Sequence, residues 1–439
     1  MKSGEATFSM ERLFIDIIEA GEDQELFLSR SRTGIFSPAL IMWLEISRRI
    51  EGGKSLSLAL ESLASGCADE VVRQNRTSDV KGQARLSSSS GGLCRARQRL
   101  KLEAVERVCQ LISDELLKRM GNERWHGKRA YLLDGTTFAM AKSDNTFAKY
   151  APVKNQHRSA GVSQIVCTCL HDLFTGVALS PAFGAYNGKN AVGETELSKT
   201  MLRRLKEPGI VIADAGFGIF GVGWTAREHK HDVLLRLTST RAGAINGKKL
   251  GNRDFDKQVI WRAGNLSNHP EIPVEAEIPG RLIRKTIRRD GYRPLVLLFF
   301  TTVSEPIDDV VELYKQRERI ENDIRSIKYT LGLELISAKS PDVIEKELLL
   351  GYAANNLVRS IIAVAADKLG ISARQVSFQR GVNYTKIYGN KIRDEQNPIR
   401  RAELIERFLA ALNQTRHPIR KRQRLEPRMI YVNANASRS

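Results

Sequence analysis

The sequence predicts an α/β protein in which a strand-rich core, residues 128–338, lies between helical regions at 1–127 and 339–439. Three observations lead to it. Before Arg124 apolar residues recur at helical spacing, as in "SPALIMWLEISRRI" and "LEAVERVCQLISDELLKRM". From Lys128 short apolar or alternating runs take over, bounded by glycine and polar turns. Past Gly332 the helical spacing returns, and the chain ends on the basic "RHPIRKRQRLEPRM".

The elements can be taken in order. Between the two N-terminal helical stretches lies "RTSDVKGQARLSSSSGGLCRARQRL", a Ser/Gly connector running into a basic segment. Arg95, Arg97 and Arg99 in that segment either meet DNA phosphates or form a solvated helix start. "RAYLLDGTTFAM" reads as a strand ending near Asp134. "VSQIVCTCLHDL" and "GVALSPAFG" read as a hairpin turning at "FTG". "ETELSKTMLRRL" is an amphipathic helix, and "PGIVIADAGFG" a short apolar strand with Asp214 at its carboxyl end. A helix "GVGWTAREH" and a strand "DVLLRL" follow, then a β-rich insertion at about 238–303. Ser304-Glu305-Pro306 opens a further helix. This is the order of a ribonuclease H-like (retroviral-integrase-like) core. There the first and fourth strands are neighbours, so Asp134 and Asp214 should meet near the last core helix.

Charge narrows the partner. Lys and Arg total 69 against 50 Asp and Glu, a net +19, which favours nucleic acid. No RRM-like strand or KH-type GXXG module is evident, which leaves DNA ahead of RNA. The five cysteines (Cys67, Cys94, Cys109, Cys167, Cys169) are odd in number and lack zinc spacing, as in a reduced cytosolic chain. "MKSGEATFSMERLF" has no uninterrupted apolar core, so no signal peptide is expected. The apolar "LLLGYAANNLVRSIIAVAA" carries Asn355, Asn356 and Arg359, which argues for a buried helix and no membrane.

The stretch "ELYKQRERIENDIRSIKYTLGLE" (312–334) has charges too regular to pass over. On one continuous helix at about 100° per residue, Tyr314, Arg317, Glu321 and Lys328 share a stripe roughly 60° wide. That stripe borders the apolar face of Leu313, Ile320, Ile324, Ile327 and Leu331. Either Arg317 and Glu321 are a plain i,i+4 ion pair, or Glu321 joins Asp134 and Asp214. Hard divalent cations take oxygen ligands, and a pair of them serves phosphodiester cleavage.

Tyr314, Arg317, Glu321 and Lys328 stand as Y-x2-R-x3-E-x6-K. This resembles the signature of bacterial insertion-sequence DDE transposases, specifically the insertion-sequence-four family. "YLLDGTTF" is similar to the family's first-Asp strand, "GIVIADAGFG" to its second-Asp segment, and "TLGLELISAKSPDVIEKELLLGYAANNLVR" to the region after its Glu. The resemblance covers Tyr131 to Ile362, fades in the N-terminal helices and is weak in the tail. It implies a metal-binding catalytic triad of Asp134, Asp214 and Glu321, holding two Mg²⁺ ions for which Mn²⁺ can substitute. It implies that Tyr314, Arg317 and Lys328 contact the backbone of the transposon end. The implied activity is cut-and-paste transposition, with binding of inverted-repeat ends, metal-dependent cleavage and joining of the 3′-hydroxyls to target DNA. A homodimer on double-stranded DNA, in a cytoplasmic, nucleoid-associated protein, goes with it. One position departs: many relatives carry Trp after the motif Arg, and here it is Glu318. Trp224 and Trp261 could stack a displaced base in its place, or simply pack.

Other polar residues read more plainly. Asp144, Asp172 and Asp232 fit loops or turns, and His229 and His231 fit solvent. Lys154, His157 and Arg158 could touch DNA or lie in a solvated loop. Two rival functions remain: a transposase-derived DNA-binding protein without cleavage, and a ribonuclease H-like nuclease without strand transfer.

Overall fold

The structure is a computed structural model, and it describes residues 9–22, 24–28, 36–66, 68–74, 90–120, 123–154, 159–264, 269–288 and 290–417. Cys67, His157, Arg158, most of the Ser/Gly connector and the basic end of the tail lie outside them. The N-terminal helices are α1 (Met10–Ala20), α2 (Gln24–Leu28), α3 (Pro38–Ile50), α4 (Leu56–Ala64), α5 (Asp69–Gln74), α6 (Gly91–Arg99) and α7 (Leu102–Met120). Next come β1 (Arg129–Met140), α8 (Asp144–Lys149), β2 (Pro152–Lys154), β3 (Ser159–Asp172), β4 (Ala182–Ala185), α9 (Glu194–Arg204), β5 (Gly209–Ala213), α10 (Phe220–Glu228) and β6 (Asp232–Arg236). Then follow α11 (Ser239–Asn246), β7 (Phe255–Arg262), β8 (Glu277–Ile287), β9 (Leu295–Thr301), α12 (Ile307–Lys315) and α13 (Glu318–Arg325). A π-helical turn (Ser326–Thr330), β10 (Leu335–Ile336), α14 (Pro341–Lys368), α15 (Phe378–Asp394) and α16 (Pro398–Gln414) complete the order.

The chain divides into two compact units, and β1 and α13 each contribute residues to both. The first unit takes described residues up to 124, 135–197 and 322–417. Its centre is α14, which starts at Pro341 and is buried at every position from Val343 to Ile362. A helix buried on all faces needs cover on every side, and α3, α7 and α15 supply much of it. The helical regions predicted at opposite ends of the chain therefore share one core, in which Phe14, Ile46 and Ile112 pack with Leu357, Val382 and Leu412. By length and composition α14 could cross a membrane, but 89% of its most apolar window is buried inside the protein.

In the same unit β3 and β4 form the predicted hairpin, with Ile165 opposite Ala185 and Thr168 opposite Ala182. Its turn is held by Asp172, whose Oδ1 accepts from the Phe174 and Thr175 amides at 3.1 and 2.8 Å. The second half of β1 pairs in parallel with β10, Ala139 with Leu335 and Met140 with Ile336. Cys167 and Cys169 face one way from β3, both buried, with their sulfurs 3.7 Å apart.

The second unit takes residues 125–134 and 198–321. The first half of β1, then β5 and β6, run parallel, and β9, β8 and β7 extend the sheet as an antiparallel meander in that order. The β-rich insertion is thus a continuation of the core sheet through the β6–β9 pairing. It also holds the unforeseen α11, capped by Thr238 and ended by Gly247 at φ 70°. Trp261 is 7% exposed and packs on Phe300 and Phe220 with ring centroids 4.7 and 5.7 Å away. Trp224 stacks on Phe220 at 6.1 Å, so both tryptophans pack. His231, expected in solvent, is buried, and burial pushes its pKa down to about 4.

The motif stretch departs from one continuous helix. Between α12 and α13 the chain tightens: Arg317 N–H donates to Tyr314 O and Ile320 N–H to Arg317 O, at 3.0 and 3.1 Å. After α13 it widens, with Leu331 N–H reaching Ser326 O at 3.2 Å. A uniform 100° step therefore misplaces the side chains on either side of these irregularities.

Candidate active site

The parallel ladder places two acids side by side. Leu133 of β1 is opposite Ala213 of β5, so Asp134 and Asp214 follow side by side where that ladder stops; β5 ends there, while β1, expected to end near Asp134, runs on to Met140. Tyr131, Leu132 and Leu133 are buried, as are all five residues of β5, and that burial fixes the register. The carboxyl ends of parallel strands are where α/β sheets bind ligands. The Asp214 carboxylate accepts the Gly216 amide at 2.8 Å.

Arg317, at the tight turn before α13, ties this edge to the third acid. Its Nη1 is 3.0 Å from Asp134 Oδ2 and its Nη2 is 2.6 Å from Glu321 Oε1. The Asp134 and Arg317 side chains are 18% and 15% exposed, while Glu321 is 37% exposed. Burial works against the Arg317 charge, yet Asp134, Asp214 and Glu321 are among the groups that raise its pKa overall. The i,i+4 ion pair of Arg317 and Glu321 thus forms, and the same guanidinium connects it to Asp134.

Tyr314 is 1% exposed, its ring 4.6 Å from that of Phe299. Burial raises its pKa, against the opposing pull of Arg317 and Arg236. It is a buried prop, near enough to Arg317, Arg236 and Asp214 for their charges to act on it. Lys328 belongs to the first unit, where its Nζ lies 5.3 Å from the Phe138 ring centroid and burial lowers its pKa. It lines a cleft with Thr136, Thr137, Tyr186 and Glu194.

The basic segment on α6 divides. Arg95 and Arg99 are exposed. Arg97, expected on DNA, is buried instead: its Nε is 2.9 Å from Glu45 Oε1 and its Nη2 bonds Glu347. Two carboxylates already hold its guanidinium, which is the physical reason for that correction.

Two residues escaped the sequence reading. Arg236 ends β6, the next strand along the parallel edge, and interacts with Tyr314. Arg241, near the start of α11, donates through Nη1 to the carbonyl of Ala215 beside Asp214. The usable signal was positional, a basic residue just past the carboxyl end of a core strand. Arg236, Arg241 and Arg317 thus accompany three carboxylates, a mixture suited to a cationic cofactor and a phosphate together.

The donors at this site are all carboxylate oxygens, which suits a hard divalent cation. Among the described residues, no three His, Cys, Asp or Glu side chains are gathered tightly enough to hold one. The Arg317 guanidinium bridges Asp134 and Glu321, supplying the positive charge between them. The donor chemistry fits a metal; the spacing shown is that of an arginine-bridged pair.

Comparison with individual curated proteins finds no match to this chain. A family model described as the transposase DDE domain matches residues 125–357, more than half of the 439, including Asp134, Asp214, Arg317 and Glu321 but not the α6 arginines. The chain belongs to the DDE transposase-domain family.

Proposed function

We propose that this protein is the transposase of an insertion sequence of the insertion-sequence-four type. It binds the inverted-repeat ends of its element, cleaves them by metal-dependent phosphodiester hydrolysis and joins the 3′-hydroxyl ends to target DNA. The family supports an enzyme acting on DNA with a ribonuclease H-like fold, and such domains typically use divalent metal ions. The single observation that carries the reading is the meeting of Asp134 and Asp214 on paired strands, linked through Arg317 to Glu321.

In this reading Asp134, Asp214 and Glu321 hold two Mg²⁺ ions, with Mn²⁺ able to substitute. Such ions supply an activated water at neutral pH and neutralise the leaving oxygen. The protein's own groups do the rest. Arg317 balances the carboxylates while no DNA is bound and offers its planar fork to a backbone phosphate when DNA arrives. Arg236 and Arg241 hold the neighbouring phosphates, and Tyr314 keeps Arg236 and Arg317 in place. Lys328 contacts the end from its own cleft, and exposed Arg95 and Arg99 meet DNA outside the core. Two protomers act together, because both cleaved ends must reach one target, and the protein works in the cytoplasm on nucleoid DNA without a membrane.

The test is a supercoiled plasmid carrying the gene's own flanking DNA, incubated with protein and Mg²⁺ and compared with Glu321→Gln. Boundary cuts and joined products that vanish in the variant are expected. Cuts without joining would instead identify a nuclease. Specific binding without any Glu321-dependent cut would identify a DNA-binding protein that no longer cleaves.

A further inference from the structure

Glu321 lies on an eight-residue helix with irregular turns at both ends. The rotation of so short a cylinder about its axis depends on its directional contacts, of which the Arg317–Glu321 pair is one. Its apolar grip comes from Ile320 and Ile324, 0% and 8% exposed. Those residues set depth well and rotation poorly, because apolar contact is non-directional.

A directional contact exists two residues past Glu321. Asp323 is 1% exposed, and its Oδ1 accepts from Arg359 Nη2 at 2.6 Å and from Arg374 Nη1 at 2.7 Å. Arg374 Nη1 also lies 2.9 Å from Oδ2, and His171 Nδ1 lies 3.3 Å from it. The partners are themselves fixed. Arg374 donates to the carbonyls of Leu173 and Asp172 at 2.9 Å each, and Arg359 stands 4.9 Å over the Phe378 ring. One carboxylate thus locks α13 to the β3 hairpin, to α14 and to the turn before α15.

Helical geometry carries the lock to Glu321. With Ile320 at the centre of the buried face, Asp323 lies about 60° to one side and Glu321 about 100° to the other. A roll of about 20° at a side-chain radius of about 5–6 Å moves the Glu321 carboxylate by about 2 Å. A misplacement of about 1 Å at a reacting centre can cost on the order of 100-fold in rate.

We propose that Asp323, clamped by Arg359, Arg374 and His171, is the positioning residue that sets the rotation of α13 and so aims Glu321. This rests on the transposase reading above. Asp323→Glu keeps the buried charge and lengthens the key by one methylene; Asp323→Asn keeps the shape and removes the charge.

Each full-length variant is assayed for thermal melting, for Mn²⁺ affinity by electron paramagnetic resonance, and for cleavage rate at saturating DNA and KM. The expected result for Asp323→Glu is a melting temperature near that of wild type, with Mn²⁺ affinity at least tenfold weaker. Its cleavage falls at least tenfold at saturating DNA, with KM unchanged. If Asp323→Glu matches wild type in affinity and rate while Asp323→Asn unfolds, Asp323 merely balances charge and the inference is overturned. Should Asp323→Glu itself melt early, Arg374→Lys, which keeps the charge and loses the fork, takes its place with the same expectations. Wild type that binds Mn²⁺ without cutting leaves the affinity comparison to decide. Wild type that does neither overturns the transposase reading and this inference together.

Discussion

Two residues apart on one helix, Arg95 and Arg97 show how little a residue's type says about its partner. Both read as basic groups facing a polyanion, yet Arg95 is exposed and Arg97 is held between Glu45 and Glu347. Glu347 lies 250 residues away in sequence, so no local pattern could have announced it. Arg97→Ala removes its bonds to Glu45 and Glu347 while Arg48 and Arg49 still neutralise both carboxylates, and should cost about 1.5–3 kcal/mol. Urea unfolding checks this, and a loss below about 1 kcal/mol would return Arg97 to the surface. The acids at the sheet edge were legible for the opposite reason. Asp134 and Asp214 each end an apolar run, and the ribonuclease H-like order of elements, with its first and fourth strands adjacent, placed them together.

At the scale of elements, legibility followed regularity. β1, β5 and β6 announce themselves as apolar runs between glycines and polar turns, and the hairpin by its turn residues. The eight-residue α11 was lost inside a stretch read as strands, and the tight and wide turns flanking α13 carry no compositional mark. Charged networks between elements were equally invisible. Arg48 Nη2 lies 2.7 Å from Glu45 and 2.8 Å from Glu347, and Arg49 Nη2 lies 2.6 Å from Glu347, which joins α3 to α14 while Arg97 adds α6. Burial pushes the Glu347 pKa up, but Arg49, Arg48 and Arg97 outweigh it and hold the carboxyl below its ordinary 4.5. A depressed acid contributes stability that is whole above its unfolded value and lost as pH falls through the folded one. The melting temperature should therefore drop steeply below about pH 4.5, and Glu347→Gln should start lower and respond less to acid. Parallel pH profiles for the two proteins would refute the assignment.

The whole molecule adds a property that no single element has. A net charge of +19 acts at long range, gathering DNA before any specific pairing forms and releasing counterions when phosphates are neutralised. Three guanidiniums at the proposed site, Lys328 in its own cleft, and Arg95 and Arg99 on α6 can together neutralise about six phosphates, enough for a log–log salt slope near −5. Affinity for a DNA end should then fall by roughly 1,000-fold between about 50 and 200 mM salt. Replacing Arg95 and Arg99 with alanine should make that slope shallower by about 0.9 for each phosphate no longer neutralised. The same pair of changes should leave Glu321-dependent cutting intact at low salt, because neither residue belongs to the family-matched segment that holds the acids. Fluorescence anisotropy across a salt series measures both slopes. An unchanged slope in the double variant would remove α6 from the DNA path and leave recognition of the end to the core.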